Sequence, residues 1–313
     1  MAANIKQLEN LVGKEYASDP VAWNTRDLLT YAIGIGAKPS DTQFVYDPAF
    51  AAFPTYPVAL FLKGADQDVV NFAQRAASST VPGMPTFDPK RVVHASQSIE
   101  ILKPLPLVSG PGWRLKKRLA SIRENKGGVI LESEFMLVDS RDTPYARLFS
   151  ASFNLGGKLT GTRFARMVLS PPVHESIPKA RAPDWVVREK TLPEQALIYR
   201  LSGDYNPLHI DPTVGAASGF GGVILHGLST FGFAARAILQ AVGGNDPAAL
   251  RYIGVRFTAP VKPGDELETR AWRVNNGPGD IAEIAFEVNN VTTDKIVIGG
   301  GFARVVEAER SKL

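Results

Sequence analysis

Asp204, Asn206 and His209 fall within six residues of one another in the run GDYNPLHIDP, and Gly227 follows at the head of an apolar segment of helical period. An imidazole works near its own pKa at neutral pH, and a carboxylate beside it can orient it or exchange a proton with it. Asn206 adds a neutral donor and acceptor that can hold a water. Pro207 and Pro212 stiffen the loop, so that these polar ends can converge on one point. The Gly227 amide sits where helix-end N–H groups point outward with partial positive charge, and such a donor on a developing oxyanion is worth about 3 kcal/mol of barrier. The chemistry that suits this set is addition of water to, or its removal from, a carbon chain conjugated with a carbonyl. A second reading stands beside it: Gly-Asp-x-Asn-Pro is also the pattern of an Asx turn, in which the acid and amide bond local backbone and His209 is a satisfied neighbour.

The elements that must hold these residues are legible around them. Leu228, Phe231, Ala235, Ile238, Leu239 and Val242 recur at helical spacing and predict a buried helix over 228–242. Thr191, with a proline two residues on and Glu194 three on, predicts a capped helix through TLPEQALIYRLSG. Beyond the loop, YIGVRFTAPV, ELETRAWRVNN, IAEIAFEVNN and KIVIGGGFARVV read as antiparallel strands separated by turn residues. The first half repeats the plan: a helix in TRDLLTYAIGIGA, a helix or strand in PTYPVALFL, and strands in VVHASQSIEILKPL, GGVILESEFMLVD and PYARLFSASFNL. An internal duplication follows, pairing Tyr31 with Tyr199 and setting Gly36 where the second half carries Asp204. The expected fold is α+β, a double hot-dog of two curled antiparallel sheets, each wrapping a central helix. Residues 1–153 are expected to form a half that lacks the acid–base pair and is left to accommodate the substrate's chain, 154–185 a Gly- and Pro-rich connector, and 186–313 the half bearing the motif.

Composition removes other classes. The 313 residues are 44% hydrophobic and 21% charged with a net charge of +4, too mild for a nucleic-acid reader. No cysteine is present, which excludes disulfides, thiolate catalysis and cysteine-bound zinc. The four histidines form no H-x-x-x-H pair, so no metal is expected. No G-x-G-x-x-G fingerprint with a following acid occurs, and no run of eighteen apolar residues, so neither a nicotinamide cofactor nor a membrane span is expected. His226 reads as a residue that caps, packs or orients backbone rather than as a second base; His174 reads as exposed, and Glu100 and Asp211 as solvated. The chain ends in Ser311-Lys312-Leu313, which matches the signal read by the peroxisomal import receptor and predicts a peroxisomal protein if the source is eukaryotic, a cytoplasmic one if bacterial. A homodimer is the expected assembly.

The run YRLSGDYNPLHIDPTVGAASGFGGVILHGL resembles the signature of the MaoC-like, (R)-specific 2-enoyl-CoA hydratase 2 family, which also forms the hydratase part of a peroxisomal multifunctional enzyme. The resemblance extends through RDLLTYAIGIGA, HASQSIEILKPLP and VRFTAPVKPGD, nearly the whole chain. It implies reversible hydration of trans-2-enoyl-CoA to (3R)-3-hydroxyacyl-CoA in β-oxidation, with no cofactor beyond the CoA of the substrate. Asp204 and His209 would be the acid–base pair on the water, Asn206 would help hold it, and the Gly227 amide would bind the thioester oxygen. The same resemblance makes Tyr205, Pro207, Leu208, Phe257, Lys126, His94 and Ala95 contacts of the acyl-CoA, although His94-Ala95-Ser96-Gln97 stands where the family has His-Gly-Glu-Gln. Other hot-dog proteins hydrolyse thioesters with an acid placed against a helix amide, so a thioesterase and a non-catalytic acyl-CoA carrier are the alternatives.

Overall fold

Strands β9 (Glu266–Asn276), β10 (Ile281–Asn290) and β11 (Lys295–Val306) begin and end where the turn residues between them require. β8 (Leu250–Phe257) stops short of the expected Val261, because Pro260 has no N–H for a ladder and the Val261 carbonyl instead accepts from Leu225. The computed structural model describes residues 5–308 except 47, 70–71, 74–80, 82, 89–90, 162 and 179, so Ser311, Lys312 and Leu313 lie outside the described residues.

In chain order, α1 (Ile5–Leu11) and β1 (Glu15–Pro20) precede α2 (Thr25–Gly34) and α3 (Thr42–Val45). Asn24 caps α2 through the Arg26 and Asp27 amides, and Asp27 returns a bond to the Asn24 amide. The segment PTYPVALFL is helical: a 3-10 turn, Tyr56–Ala59, runs into α4 (Leu60–Lys63). It follows β-like spacing nowhere, and its two prolines keep it short. Strands β2 (Val92–Ile101), β3 (Arg114–Asn125), β4 (Gly128–Val138) and β5 (Pro144–Leu155) complete the first half, and β6 (Phe164–Met167) returns to pair with β3. β7 (Trp185–Lys190), α5 (Gln195–Tyr199), α6 (Pro212–Ala217) and α7 (Gly227–Gly243) then lead to β8. Thr191 is not a helix cap: its hydroxyl donates to the Asp265 carbonyl and accepts from the Gly264 amide, tying the end of β7 to the turn before β9. The helix starts only at Gln195, and Glu194 makes no side-chain cap.

All pairings are antiparallel, in the order β1-β3-β4-β5-β2-β8-β11-β10-β9-β7. The left five strands, read from the centre, repeat as the right five with each number raised by six, which is the duplication expected from the sequence. The two curled sheets meet edge to edge along β2 and β8, from Ser96 opposite Arg256 to Glu100 opposite Tyr252. Tyr31 and Tyr199, paired by the sequence alignment, face each other with ring centroids 6.0 Å apart. A contact of this kind is expected where an internal two-fold brings equivalent positions together.

Among the described residues, only the second half has a long central helix. Fourteen of the seventeen residues of α7 are buried, and its larger apolar side chains contribute about 1.5–3 kcal/mol each by leaving water. The sheet takes one flank of α7, and the first half takes the other. Ser229 donates to the Gly34 carbonyl, Gly232 allows the Ile35 side chain against the helix backbone, and Phe233 packs on Gly36. A Cβ on Gly36, whose φ is +83°, would lie 2.3 Å from the Phe233 ring, so the position that pairs with Asp204 is filled by packing in this half. In the first half, the short helical run around Tyr56 and Leu60 substitutes for a central helix, with Tyr56 beside Trp23 and Phe61 stacked on Phe135 of β4.

Buried Arg236 of α7 holds Glu189 of β7 through both carboxylate oxygens at 2.7 and 2.8 Å and reaches Asp41, before α3, at 3.3 Å. This cluster joins the two halves. Arg236→Met would leave Asp41 without the guanidinium and Glu189 with only the more exposed Lys38, 3.4 Å away, and is expected to lower stability by about 3 kcal/mol, read as an earlier urea midpoint; a midpoint within error of the parent would refute the role.

Candidate active site

The loop after α5 turns sharply at Gly203 (φ +121°), whose missing side chain lets the backbone lie against Lys63 of α4. Two nested Asx turns follow. Asp204 Oδ1 accepts from the Asn206 amide at 3.2 Å, and Asn206 Oδ1 accepts from the Leu208 amide at 3.0 Å, capping a 3-10 turn at Pro207–His209. The local-turn reading of this stretch therefore holds, and the same turns set the direction of the Asp204 and Asn206 side chains. The oxygen of Asn206 is engaged in the turn, which leaves its NH2 group as the part able to meet a water or ligand.

His209 is buried, and its Nδ1 lies 2.8 Å from the Ile224 carbonyl. A carbonyl only accepts, so Nδ1 carries the proton and Nε2 is the atom presented to Asp204, 4.0 Å from Oδ2. An oxygen about 2.8 Å from both would sit to one side of the line joining them, within hydrogen-bond reach of each. Ile224 belongs to the glycine-rich approach to α7, where a Cβ at Gly215 would strike the Gly222 carbonyl at 2.0 Å. His226 is the residue before that helix, and Gly227 is its first, so the Gly227 amide has no acceptor within the helix.

The ring of Phe257, at the end of β8, lies against Gly227: a Cβ there would meet it at 3.4 Å. His94 also stands against this ring, with centroids 4.9 Å apart, and His94 Nε2 is 3.1 Å from the Ser150 hydroxyl. Burial pushes the His94 imidazole down to about 4. Ala95 is the extra residue of a β-bulge, because His94 faces Ser152 while Ser96 already faces Ala151. Its φ is not positive, so alanine occupies the family's glycine position without backbone strain. The structure thus gathers Asp204, Asn206, His209, Gly227, Phe257, His94 and Ala95 at the seam of the two halves.

Tyr205, Pro207 and Leu208 line the same loop, with the Arg200 guanidinium over the Tyr205 ring at 5.2 Å and Pro207 exposed. Lys126 makes no contact with this group. It is exposed at the tip of the β3–β4 hairpin, and the register puts it at the same end of the sheet as His94 and Phe257, two strands over from β2 and further along the strand direction than Leu131, which stands level with His94. Asp211 is a helix cap rather than a free carboxylate, accepting from the Thr213 amide and hydroxyl at the start of α6. Glu100 is half exposed and lies 3.5 Å from Arg147. His174 is exposed as expected, yet its ring stacks flat on Phe302 at 4.7 Å and pins the connector across β11.

Asp204, His209 and His226 offer three ligand atoms within 4.8 Å of one another, a spacing at which a metal is conceivable. The imidazole rings are stacked, however, with centroids 3.7 Å apart and planes inclined by 28°. Planes so arranged meet well beyond the ~2.1 Å reach of an imidazole–zinc bond, so coordination by both rings requires one to turn away from its carbonyl partner. The arrangement favours proton transfer. The reading of His226 as a residue that packs or orients backbone holds, since its Nε2 donates to the Asp204 carbonyl at 3.1 Å; sequence reasoning missed its stacking on His209 and the role of the Ile224 carbonyl. Backbone carbonyls carry no sequence signal.

Residues 22–153 match the MFE-2 hydratase 2 N-terminal domain, and residues 175–296 match the MaoC like domain. A probable enoyl-CoA hydratase 2 of Dictyostelium discoideum is 32% identical over the full length of both chains. The peroxisomal multifunctional enzyme type 2 of Mus musculus is 33% identical over 95% of this chain, which spans 38% of that relative's length. The crystal structure of a MaoC-like dehydratase from Phytophthora capsici superposes with a TM-score of 0.86 at 37% identity, over 99% of this chain and 100% of that one. Among the described residues, no helix is long and apolar enough to cross a membrane.

The half-buried His94, packed between Phe257 and Ser150, gives a pH signature. An unfolded histidine titrates near 6.5 and the folded one near 4, so between these values the unfolded chain takes up a proton that the folded chain refuses. The stability from this group is whole above about pH 6.5 and is lost as pH falls through 4. Urea unfolding at pH 7 and pH 4.5 should show a smaller loss of midpoint for His94→Gln than for the parent; identical losses would contradict the assignment.

Proposed function

Because the chain belongs to the MaoC-like hydratase family, with a hydratase 2 N-terminal half joined to a MaoC-like half, we propose that it reversibly hydrates trans-2-enoyl-CoA to (3R)-3-hydroxyacyl-CoA in fatty acid β-oxidation. The observation that carries this reading is the facing of His209 Nε2 and Asp204 Oδ2 across 4.0 Å, beside the first amide of a buried helix. The thioester oxygen accepts from the Gly227 amide, which draws electron density from the C2–C3 double bond. A water held between Asp204 and His209 loses a proton to the pair as its oxygen bonds C3. The enolate so formed is stabilised at Gly227 and takes a proton at C2, which restores the thioester and leaves the pair as it began. Asn206 steadies the water through its NH2 group. No cofactor or metal enters this scheme, since CoA is part of the substrate.

Tyr205, Pro207, Leu208, His94, Ala95 and Phe257 contact the acyl-CoA in this reading, and Lys126, one hairpin away, meets the CoA phosphates. A peroxisomal location accords with relatives such as the peroxisomal multifunctional enzyme type 2 of the mouse. Recognition by the import receptor through Ser311, Lys312 and Leu313, and assembly as a homodimer, belong to the same proposal.

The test is incubation of the purified protein with trans-2-enoyl-CoA. The expected outcome is loss of the conjugated absorbance with no free thiol, a 3R product on chiral analysis, and a fall in kcat of about a hundredfold or more for Asp204→Asn and His209→Gln with the fold retained. Thiol release would establish a thioesterase instead, and binding without turnover a carrier.

A further inference from the structure

His226 is a buried titratable side chain to which the hydration scheme above gives no task. It nevertheless borders three of the residues that scheme uses, Asp204, His209 and Gly227. Its Nε2 donates to the Asp204 carbonyl at 3.1 Å, its ring stacks on His209 at 3.7 Å between centroids, and its own residue is the cap from which the Gly227 amide starts α7. Its Nδ1 has no hydrogen-bond partner among the described residues, although the residue is only 1% exposed. Packing alone would be served better by phenylalanine, which fills the same ring space without burying a nitrogen. Behind His226 stands Tyr199, 5.0 Å away, then Tyr31 of the first half at 6.0 Å from Tyr199 and Tyr56 at 5.5 Å from Tyr31. A series of rings therefore runs from the core of the first half to the face of His209.

Resting on the hydratase reading, we propose that His226 is a positioning residue for the hydration: its ring backs His209 and its N–H fixes the Asp204 carbonyl, holding the acid–base pair and the Gly227 amide as one unit. His209 is gripped at Nδ1 by the Ile224 carbonyl and on one face by His226, so its Nε2 stays turned to Asp204. The titratable and charged groups facing His226 are His209, Asp204, Tyr199 and Arg200. Burial first, and then His209, hold its pKa well below the usual range. A neutral ring is what the task needs, since a cation stacked on His209 would oppose the positive charge that His209 acquires on taking a proton.

Two substitutions divide the contacts: His226→Phe keeps the ring and loses the N–H, and His226→Gln keeps a donor and loses the ring. Each is expected to lower kcat by about tenfold or more while KM for the enoyl-CoA changes less than about twofold, and to lower kcat no further when added to His209→Gln. Unchanged kcat in either folded variant, a loss confined to KM, or losses that multiply in the His209→Gln background would each overturn the inference. A parent protein that hydrates no enoyl-CoA would overturn the hydratase reading and this one with it, whereas an active parent with unaffected variants overturns this one alone. Imidazole nitrogen-15 shifts of the parent need no variant to fold: they should report His226 as the neutral Nε2–H tautomer from pH 5.5 to 8. The other tautomer, or a cation within that range, counts against the proposal.

Discussion

The hydrogen bond from His209 Nδ1 to the Ile224 carbonyl is the constraint on which the site depends. It fixes which nitrogen is protonated, and so which one meets the carboxylate. Ile224 is placed by the chain's entry into α7, and α7 is placed by burial on both flanks. The tautomer of one side chain is thus set by the packing of a seventeen-residue helix. The rest of the loop serves the same end, since two turns closed by the side chains of Asp204 and Asn206 bring the acid around to the imidazole.

The two halves share one plan and do different work. The second supplies the acid, the imidazole and the helix tip. The first supplies His94 and Ala95 on the rim and the surface that covers α7. Where the second half opens at Gly203 and Asp204, the first is closed by Phe233 pressed on Gly36, and its helical run about Tyr56 is short and buried. With glycine where the second half has its acid, the first half serves as a backing for α7. The ion cluster of Arg236, Glu189 and Asp41 fastens it there.

Much of this was legible in the residues. The period of Leu228 through Val242 gave the central helix within a residue at each end, and three strands of the second half were bounded correctly by their turns. β3 went unseen because its sequence, RLKKRLASIREN, puts Lys and Arg along a half-buried strand and shows no clean alternation. β7 was hidden in the same way by its charged outward face. The capping pattern at Thr191 misled because a hydroxyl beside a turn can bond a distant carbonyl as well as a local amide. At the site, residue types announced Asp204, Asn206 and His209, but the stacking of His226 depends on two segments meeting in space and leaves no local mark.

The pairing of β2 with β8 fuses the halves into one eleven-stranded sheet. Two separate chains meeting along such an edge would hold together by mass action and come apart on dilution, taking His94 away from Phe257. Here the edge is tethered within a single polypeptide, so the rim is complete in every molecule at any concentration. Each copy of the plan was thereby released from having to match itself across a symmetric contact, and could change its own residues independently of the other.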